Sequence, residues 1–212
     1  MQLVDALVGV LRDHDVRYVF GVSGANIERL HDAVLRLGRG RLTAVLAKRE
    51  DGAANMADGR ARVHRTLGVC CATSGGGMMN LVAGLAESYA QSVPVLAVVG
   101  QPPATMDGRG SFQDSSGRGR AVDAVGLLAS ITKRVERVTD PGEFWDQLRA
   151  VLDTALTGRM GPTALLLPRD VQDQEVGPAP AGFPTSLDGF APPPRPAPEP
   201  VRDLFRRLAG AR

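Results

Sequence analysis

Short apolar runs recur along this chain, at Leu42 to Ala47, Leu67 to Ala72, Val95 to Val99 and Thr163 to Leu167, and helical patterns with turn residues separate them. A strand with one wet face alternates apolar and polar side chains. A run that is apolar throughout is covered on both faces, which is the pattern of a parallel sheet between two layers of helices. The chain therefore predicts an α/β fold, a three-layer parallel sheet with helices on both faces. In order, the pattern gives helix Val4 to His14, strand Tyr18 to Val22, helix Asn26 to Leu37, strand Leu42 to Ala47, a helix from Glu50 to Arg62 and strand Leu67 to Ala72. Helix Met79 to Ala90, strand Val95 to Val99, a long loop Gly100 to Arg118 and helix Ala121 to Ser130 follow. A weak strand Lys133 to Val138, helix Pro141 to Thr157 and strand Thr163 to Leu167 complete the order.

Ligands of such sheets meet the loops at the carboxyl ends of the strands. Four of those loops hold nearly everything unusual here: Gly21 to Asn26, Lys48 to Glu50, Thr73 to Gly77, and Gly100 to Pro103 leading to Ser111, Phe112 and Gln113. The glycine-rich loop lacks the lysine and spacing of a phosphate-binding loop, yet three consecutive glycines between a strand and a helix let a flat ligand approach closely. Glu50 closes an apolar run and opens a segment whose alanines 53, 54, 57 and 61 share one helical face. A carboxylate aimed from the end of a buried strand at the start of a tightly packed helix is desolvated and held still, conditions that suit proton chemistry. An acid in the first turn of a helix is also the ordinary complement to the helix dipole.

Composition narrows the function classes. Lys and Arg number 25 against 23 Asp and Glu, and aromatic residues are 4% of the 212, so neither a basic footprint nor stacking platforms for nucleic acid are present. No apolar run approaches the roughly 18 residues of a membrane span. The only cysteines, Cys70 and Cys71, are adjacent within an apolar run and read as small core residues. A basic stretch followed by an apolar one is missing from the amino end, so the expected compartment is the cytoplasm.

Nine of the fifteen prolines lie between Pro178 and Pro200, which divides the chain into a compact domain, residues 1–176, and a Pro-rich linker, residues 177–200. Beyond it, residues 201–212 carry apolar positions 201, 204, 205 and 208, an amphipathic helix of about two turns. So short a helix needs a surface to lie on.

Four stretches together resemble a known family: Val19 to Asn26, Arg49-Glu-Asp-Gly-Ala-Ala-Asn-Met-Ala-Asp-Gly59, Thr73-Ser-Gly-Gly-Gly-Met-Met-Asn-Leu81, and Gly84 to Val95 running on to Gly100 and Gln101. They are similar to the amino-terminal pyrimidine-binding domain of the thiamin-diphosphate-dependent enzymes of the acetolactate synthase, benzaldehyde lyase and pyruvate decarboxylase group, over about residues 2 to 175. The segment Gly161 to Val171 looks like that domain's last strand and exit. The resemblance implies that Glu50 is catalytic: it bonds N1′ of the aminopyrimidine and favours the imino tautomer at C4′, whose nitrogen removes the thiazolium C2 proton. It places Val22, Ser23, Gly24, Thr73, Gly75, Gly76, Gly77 and Asn80 beside Glu50 at the cofactor, and Phe112, Gln113 and Lys133 on the substrate side. No metal ligand of this chain is implied.

Departures from the family pattern are as informative. Gly76 stands at the centre of the usual Ser-Gly-Pro-Gly, as in the benzaldehyde-lyase-like branch. Met78 and Met79 replace smaller residues, Ser23 stands where relatives carry proline or histidine, and Arg60 replaces a tyrosine. Two methionines there either shape a pocket or fill core. The family holds the diphosphate and its Mg²⁺ with a second domain bearing Gly-Asp-Gly and a downstream Asn pair, and no Gly-Asp-Gly occurs in these residues. The stretch from Arg195 resembles the linker and first helix of the family's middle domain. A natural split enzyme and a piece of a longer protein are both compatible with this, and the initiator methionine with the amphipathic ending points to the former.

The expectation is thus the pyrimidine-binding subunit of a carboligase that joins a decarboxylated 2-keto acid to a carbonyl acceptor. A partner with the Gly-Asp-Gly motif would complete the site in an α2β2 heterotetramer. The alternatives are a subunit of a two-chain 2-keto acid decarboxylase, of the sulfopyruvate or phosphonopyruvate kind, and a non-catalytic regulatory subunit of the same fold. These residues assign neither the donor nor the acceptor, and the resemblance leaves FAD open.

Overall fold

The computed structural model describes residues 1–190 and 197–211. Its core is a six-stranded sheet in which every pairing is parallel: β1 (Tyr18–Gly21), β2 (Thr43–Leu46), β3 (Gly68–Ala72), β4 (Val95–Gln101), β5 (Val135–Arg137) and β6 (Thr163–Pro168), in the order β2-β1-β3-β4-β6-β5. The apolar runs sit where their composition predicts, since every residue of β3, β4 and β6 is buried. Alternate residues feed two separate cores. Val69, Cys71, Val98 and Leu165 pack under α1 (Leu3–Asp13), α2 (Glu28–Leu37) and α6 (Phe144–Leu156). Cys70, Ala72, Ala97 and Leu166 pack under α3 (Glu50–His64), α4 (Gly76–Gln91) and α5 (Ala124–Ala129).

Helix α3 lies very close to its neighbours because its buried face, Ala53, Ala54, Ala57 and Ala61, is built of methyl groups. Glycines make the approach possible. A Cβ on Gly68 of β3 would collide with the carbonyl of Ala57, and one on Gly84 of α4 would lie 2.5 Å from Ala54 Cβ and 3.2 Å from the Asp51 carbonyl oxygen. Across α3 and α4, buried Ser88 donates to Asp58 at 2.8 Å, and Asp58 also accepts from Arg62.

Several element limits differ from the pattern reading, and two differences bear on the site. Helix α4 begins at Gly76, not Met79, so two of the three glycines form its first turn. Strand β5 begins at Val135, which leaves Lys133 ahead of it at the amino edge of the sheet. A further short helix, α7 (Arg169–Gln172), follows β6.

The expected linker does not begin as an extended tail. Residues 177–190 lie along α1 and α6, with Phe190 buried, Trp145 Nε1 donating to the Gly177 carbonyl at 3.1 Å, and rings in sequence from Trp145 through Phe183 and Phe190 to His14 at centroid separations of 5.1, 5.5 and 5.5 Å. Proline content pointed to an exposed chain, but Phe183, Leu187 and Phe190 each cover apolar surface, and a fully buried side chain of this size stabilises by about 1.5–3 kcal/mol. The rest of the expected linker, residues 191–196, and residue 212 lie outside the described residues. Helix α8 spans Pro198–Gly210, longer than two turns, and Leu204, Phe205 and Leu208 on it are exposed. Among the described residues no helix is long and apolar enough to cross a membrane.

Candidate functional site

The loops that leave β1, β2, β3 and β4 converge at the carboxyl edge of the sheet, with Thr73 at their centre. Its hydroxyl accepts from the Asn26 backbone N–H at 3.3 Å and donates to Gln113 Oε1 at 3.4 Å. Gly24 is glycine because a Cβ there would lie 2.7 Å from Thr73 Cβ. Beneath, the Asn26 side chain donates to Ser74 at 2.7 Å, and Gln172 Nε2 of α7 donates to the Asn26 carbonyl at 2.8 Å. Buried Gln101 at the end of β4 accepts from Ser115 at 2.8 Å, which ties the long loop down.

Glu50 is the first residue of α3 and is 8% exposed. Its Oε2 accepts from Asn80 Nδ2 of α4 at 2.8 Å, and among the described residues Oε1 accepts no hydrogen bond. The ordinary duty of an acid at a helix start falls to its neighbour, since Asp51 Oδ1 accepts from the Gly52 N–H at 2.9 Å and lies 3.3 Å from Arg49 Nε. Glu50 is thus free of helix capping and oriented from a different helix.

The three glycines meet three different demands. Gly75 has φ 61° and ψ −122°, the mirror image of an extended conformation, which only glycine adopts without strain; a Cβ on it would also lie 2.9 Å from Gln113 Cβ. A Cβ on Gly77 would lie 2.9 Å from Thr73 Cγ2 and 3.1 Å from Glu50 Oε1. Among the described residues, apart from its chain neighbours and its own helix backbone, nothing lies within 4 Å of the position a Cβ on Gly76 would take. The free oxygen of Glu50 therefore sits beside a strip of bare backbone with open space above it. That combination fits a flat nitrogen heterocycle that hydrogen-bonds a carboxylate and stacks on backbone, as the aminopyrimidine of thiamin diphosphate does.

Residues 1–119 match the family described as thiamine pyrophosphate enzyme, N-terminal TPP binding domain. The chain belongs to that family. Among its relatives are a probable acetolactate synthase large subunit of Methanocaldococcus jannaschii, 37% identical over 194 residues, and the acetolactate synthase isozyme 2 large subunit of Escherichia coli, 37% identical over 166 residues. The first alignment covers 91% of this chain and 31% of the relative, the second 78% and 28%, so the chain spans about a third of the length of the curated relatives it matches.

Within this thiamine pyrophosphate domain, the structure brings together Gly24, Glu50, Thr73, Gly75, Gly77, Asn80 and Gln113 through the contacts above. Gly76 borders the same strip. Val22 follows β1 half-buried against the α3 and α4 core, and Ser23 beyond it is exposed. Asn80 touches the carboxylate, a more specific position than general membership of the site. Phe112 is 76% exposed at the loop tip beside Gln113, which itself has φ 60°.

Lys133 does not join them. Its ammonium donates to the carbonyls of Thr154 and Thr157, the latter at 3.0 Å, and so caps the carboxyl end of α6 at the opposite edge of the sheet. Burial lowers its pKa from the usual lysine range. A lysine is suited to that end of a helix dipole. Of the two methionines, Met78 fills core, being wholly buried, while Met79 is exposed. The two cysteines are buried core residues, and burial pushes the Cys71 thiol up to about 12 and raises Cys70 as well.

Sequence reasoning counted Asn26, Ser74 and Gln101 among the motif residues without giving them a role, and passed over Ser115. The signal was available for Asn26 and Ser74 as polar residues inside the motif loops, but the partner of Gln101 lies fourteen positions away with nothing in the spacing to mark it.

Proposed function

We propose that this chain is the pyrimidine-binding part of a thiamin-diphosphate-dependent carboligase of the acetolactate synthase kind, which joins a decarboxylated 2-keto acid to a carbonyl acceptor. The observation that carries the reading is Glu50, buried, with one oxygen held by Asn80 and the other, without a hydrogen-bond partner among the described residues, beside Gly77. Thiamin diphosphate, when bound, supplies the nucleophilic carbon at thiazolium C2 that 2-keto acid chemistry requires. Glu50 Oε1 is the atom that would share a proton with the ring nitrogen of the bound cofactor. Asn80 keeps that carboxylate from rotating away, so the proton is exchanged at one fixed atom. Gly75, Gly76 and Gly77 let the ring rest on backbone. Phe112 and Gln113 close the substrate side from the loop above.

The diphosphate and its Mg²⁺ fall to a separate domain with the Gly-Asp-Gly motif, as a partner subunit in an α2β2 heterotetramer in the cytoplasm. Two features support close association. Gly52 and Gly59 lie inside α3, where glycine costs about 0.5–1 kcal/mol relative to alanine, yet among the described residues a Cβ on either would meet nothing outside its own helix. They alternate with exposed Met56 and Val63 along one stripe of the helix that presents Glu50. A stripe of glycine and exposed apolar residues suits a close neighbour. Gly59→Ala is expected to stabilise the free chain by about 1 kcal/mol in denaturant titration while weakening assembly in light scattering. Full assembly by the variant would remove the argument from this stripe.

The test of the function uses titration calorimetry. The chain alone should bind thiamin diphosphate and Mg²⁺ weakly or not at all, and mixing with a Gly-Asp-Gly partner should restore binding and pyruvate consumption with formation of a new carbon-carbon bond. Tight binding by the chain alone overturns the division of the site. Release of an aldehyde as the sole product transfers the assignment to the decarboxylases.

A further inference from the structure

The loop that carries Phe112 and Gln113 leaves β4, passes the end of β6 and reaches the edge strand β5. There it is gripped by one residue. Arg137, the last residue of β5, donates from both terminal nitrogens to the two oxygens of Asp107, each at 2.8 Å, and the side chains are 20% and 8% exposed. Both charges are largely withdrawn from water, so the pair depends on its bidentate geometry. The loop is then closed at its neck by Asp114. Its Oδ2 accepts from the Gly108 N–H at 3.0 Å and its Oδ1 from the Ser116 N–H at 2.9 Å. Burial alone would raise the Asp114 carboxyl, but these donors and the charge of Arg137 hold it below the usual carboxylate range. Arg137 thus grips Asp107 at one side of the loop neck while Asp114 closes the other, and between them the turn Ser111 to Asp114 carries Gln113 against Gly75.

We propose that Arg137, through Asp107, is the positioning residue that sets where Phe112 and Gln113 stand over the glycine strip, and so governs acceptor selection without touching substrate. The loop-setting part stands on this chain's own contacts; the acceptor part rests on the carboligase reading. The start of the loop is tied to α7, where the Ala104 N–H donates to Asp170 Oδ1 at 3.0 Å; among the described residues its hydrogen bonds to the site are those of Gln113, whose 3.4 Å bond to Thr73 is long, and of Ser115 at its far end. A loop held at both feet presents its tip in one place. Loss of the Arg137 foot frees the tip while the sheet and α3 remain as they were.

Arg109 is exposed within the loop and makes trypsin a direct reporter of its order. In the chain alone, Arg137→Gln and Asp107→Asn should each speed cleavage after Arg109 by roughly ten- to a hundredfold, with the melting temperature of the domain little changed. The double variant should be no faster than either single one. Exchange of the two residues, Asp107→Arg with Arg137→Asp, should restore much of the protection. Cleavage within about twofold of the parent in both single variants overturns the clamp, and equal loss of global stability makes it a mere fold determinant.

With the Gly-Asp-Gly partner and pyruvate as probe, the single variants should raise the acceptor KM severalfold while cofactor C2 proton exchange, set by Glu50, stays at the parent rate. An unchanged KM with a loosened loop overturns the link to selection. A parent complex without turnover overturns the carboligase reading, and proteolysis still decides the clamp.

Discussion

Replacing Glu50 by Gln is expected to slow exchange of the cofactor's C2 proton by roughly two to four orders of magnitude in the complex with the partner, the usual worth of one positioned acid or base. The amide keeps the size of the side chain and can still meet Asn80, so cofactor affinity should change little. What it loses is the ability of Oε1 to carry a proton to and from the ring nitrogen. Deuterium incorporation at C2, read by NMR after acid quench, measures that step before any substrate enters. A Glu50→Gln complex that exchanges at the parent rate would reduce Glu50 to a helix-start residue. The structure makes that outcome hard to accommodate, because Asp51 already serves the first turn of α3 and Asn80 spends an amide on Glu50 from another helix.

Much of this arrangement was legible in the chain. The runs at β3, β4 and β6 admit no other reading because a side chain apolar on both faces must be covered on both faces, and the alanines of α3 announced a helix packed to methyl distance. The glycine loop stood out by its three consecutive glycines, though α4 starts earlier than its pattern suggested: glycine has poor helix propensity, and Gly76 and Gly77 are helical because tertiary packing holds them there. Lys133 was misplaced because its role depends on strand β5 starting two residues later and on carbonyls of α6 more than twenty residues away. The Asp107 to Arg137 pair, thirty residues apart, has no local signature at all. Charged residues in loops look alike until the topology brings two of them face to face. Proline-rich composition misled at residues 177–190 for the opposite reason, since a few interspersed aromatic residues outweigh a backbone preference once a core lies within reach.

The same dependence on close packing makes Gly68→Ala the most damaging small substitution expected in the domain. Gly68 opens β3 and lies under α3, where an added methyl would meet the Ala57 carbonyl oxygen, with the carbonyl carbon at 2.7 Å and Cα at 3.2 Å. These are backbone atoms in the middle of a helix, so no side chain can turn aside to make room. Either α3 lifts or β3 shifts against β4, whose carbonyl at Pro94 accepts from the Gly68 N–H at 3.0 Å. Overpacking of this kind costs about 1–3 kcal/mol, and contact with main chain that cannot turn aside places this case at about 3 kcal/mol. For a chain of this size that loss corresponds to a fall of roughly 6–12 °C in melting temperature. Because α3 carries Glu50, the damage should reach the site as well: a helix lifted from the sheet separates Glu50 from Asn80, and C2 exchange in the partnered enzyme should slow even under conditions where the variant remains folded. Gly52→Ala, on the open side of the same helix, is the control and should leave the melting temperature equal or higher. A Gly68→Ala protein that melts within about 2 °C of the parent would mean that α3 rides on the sheet with slack, and the account of Glu50 as a carboxylate fixed by packing would fail with it.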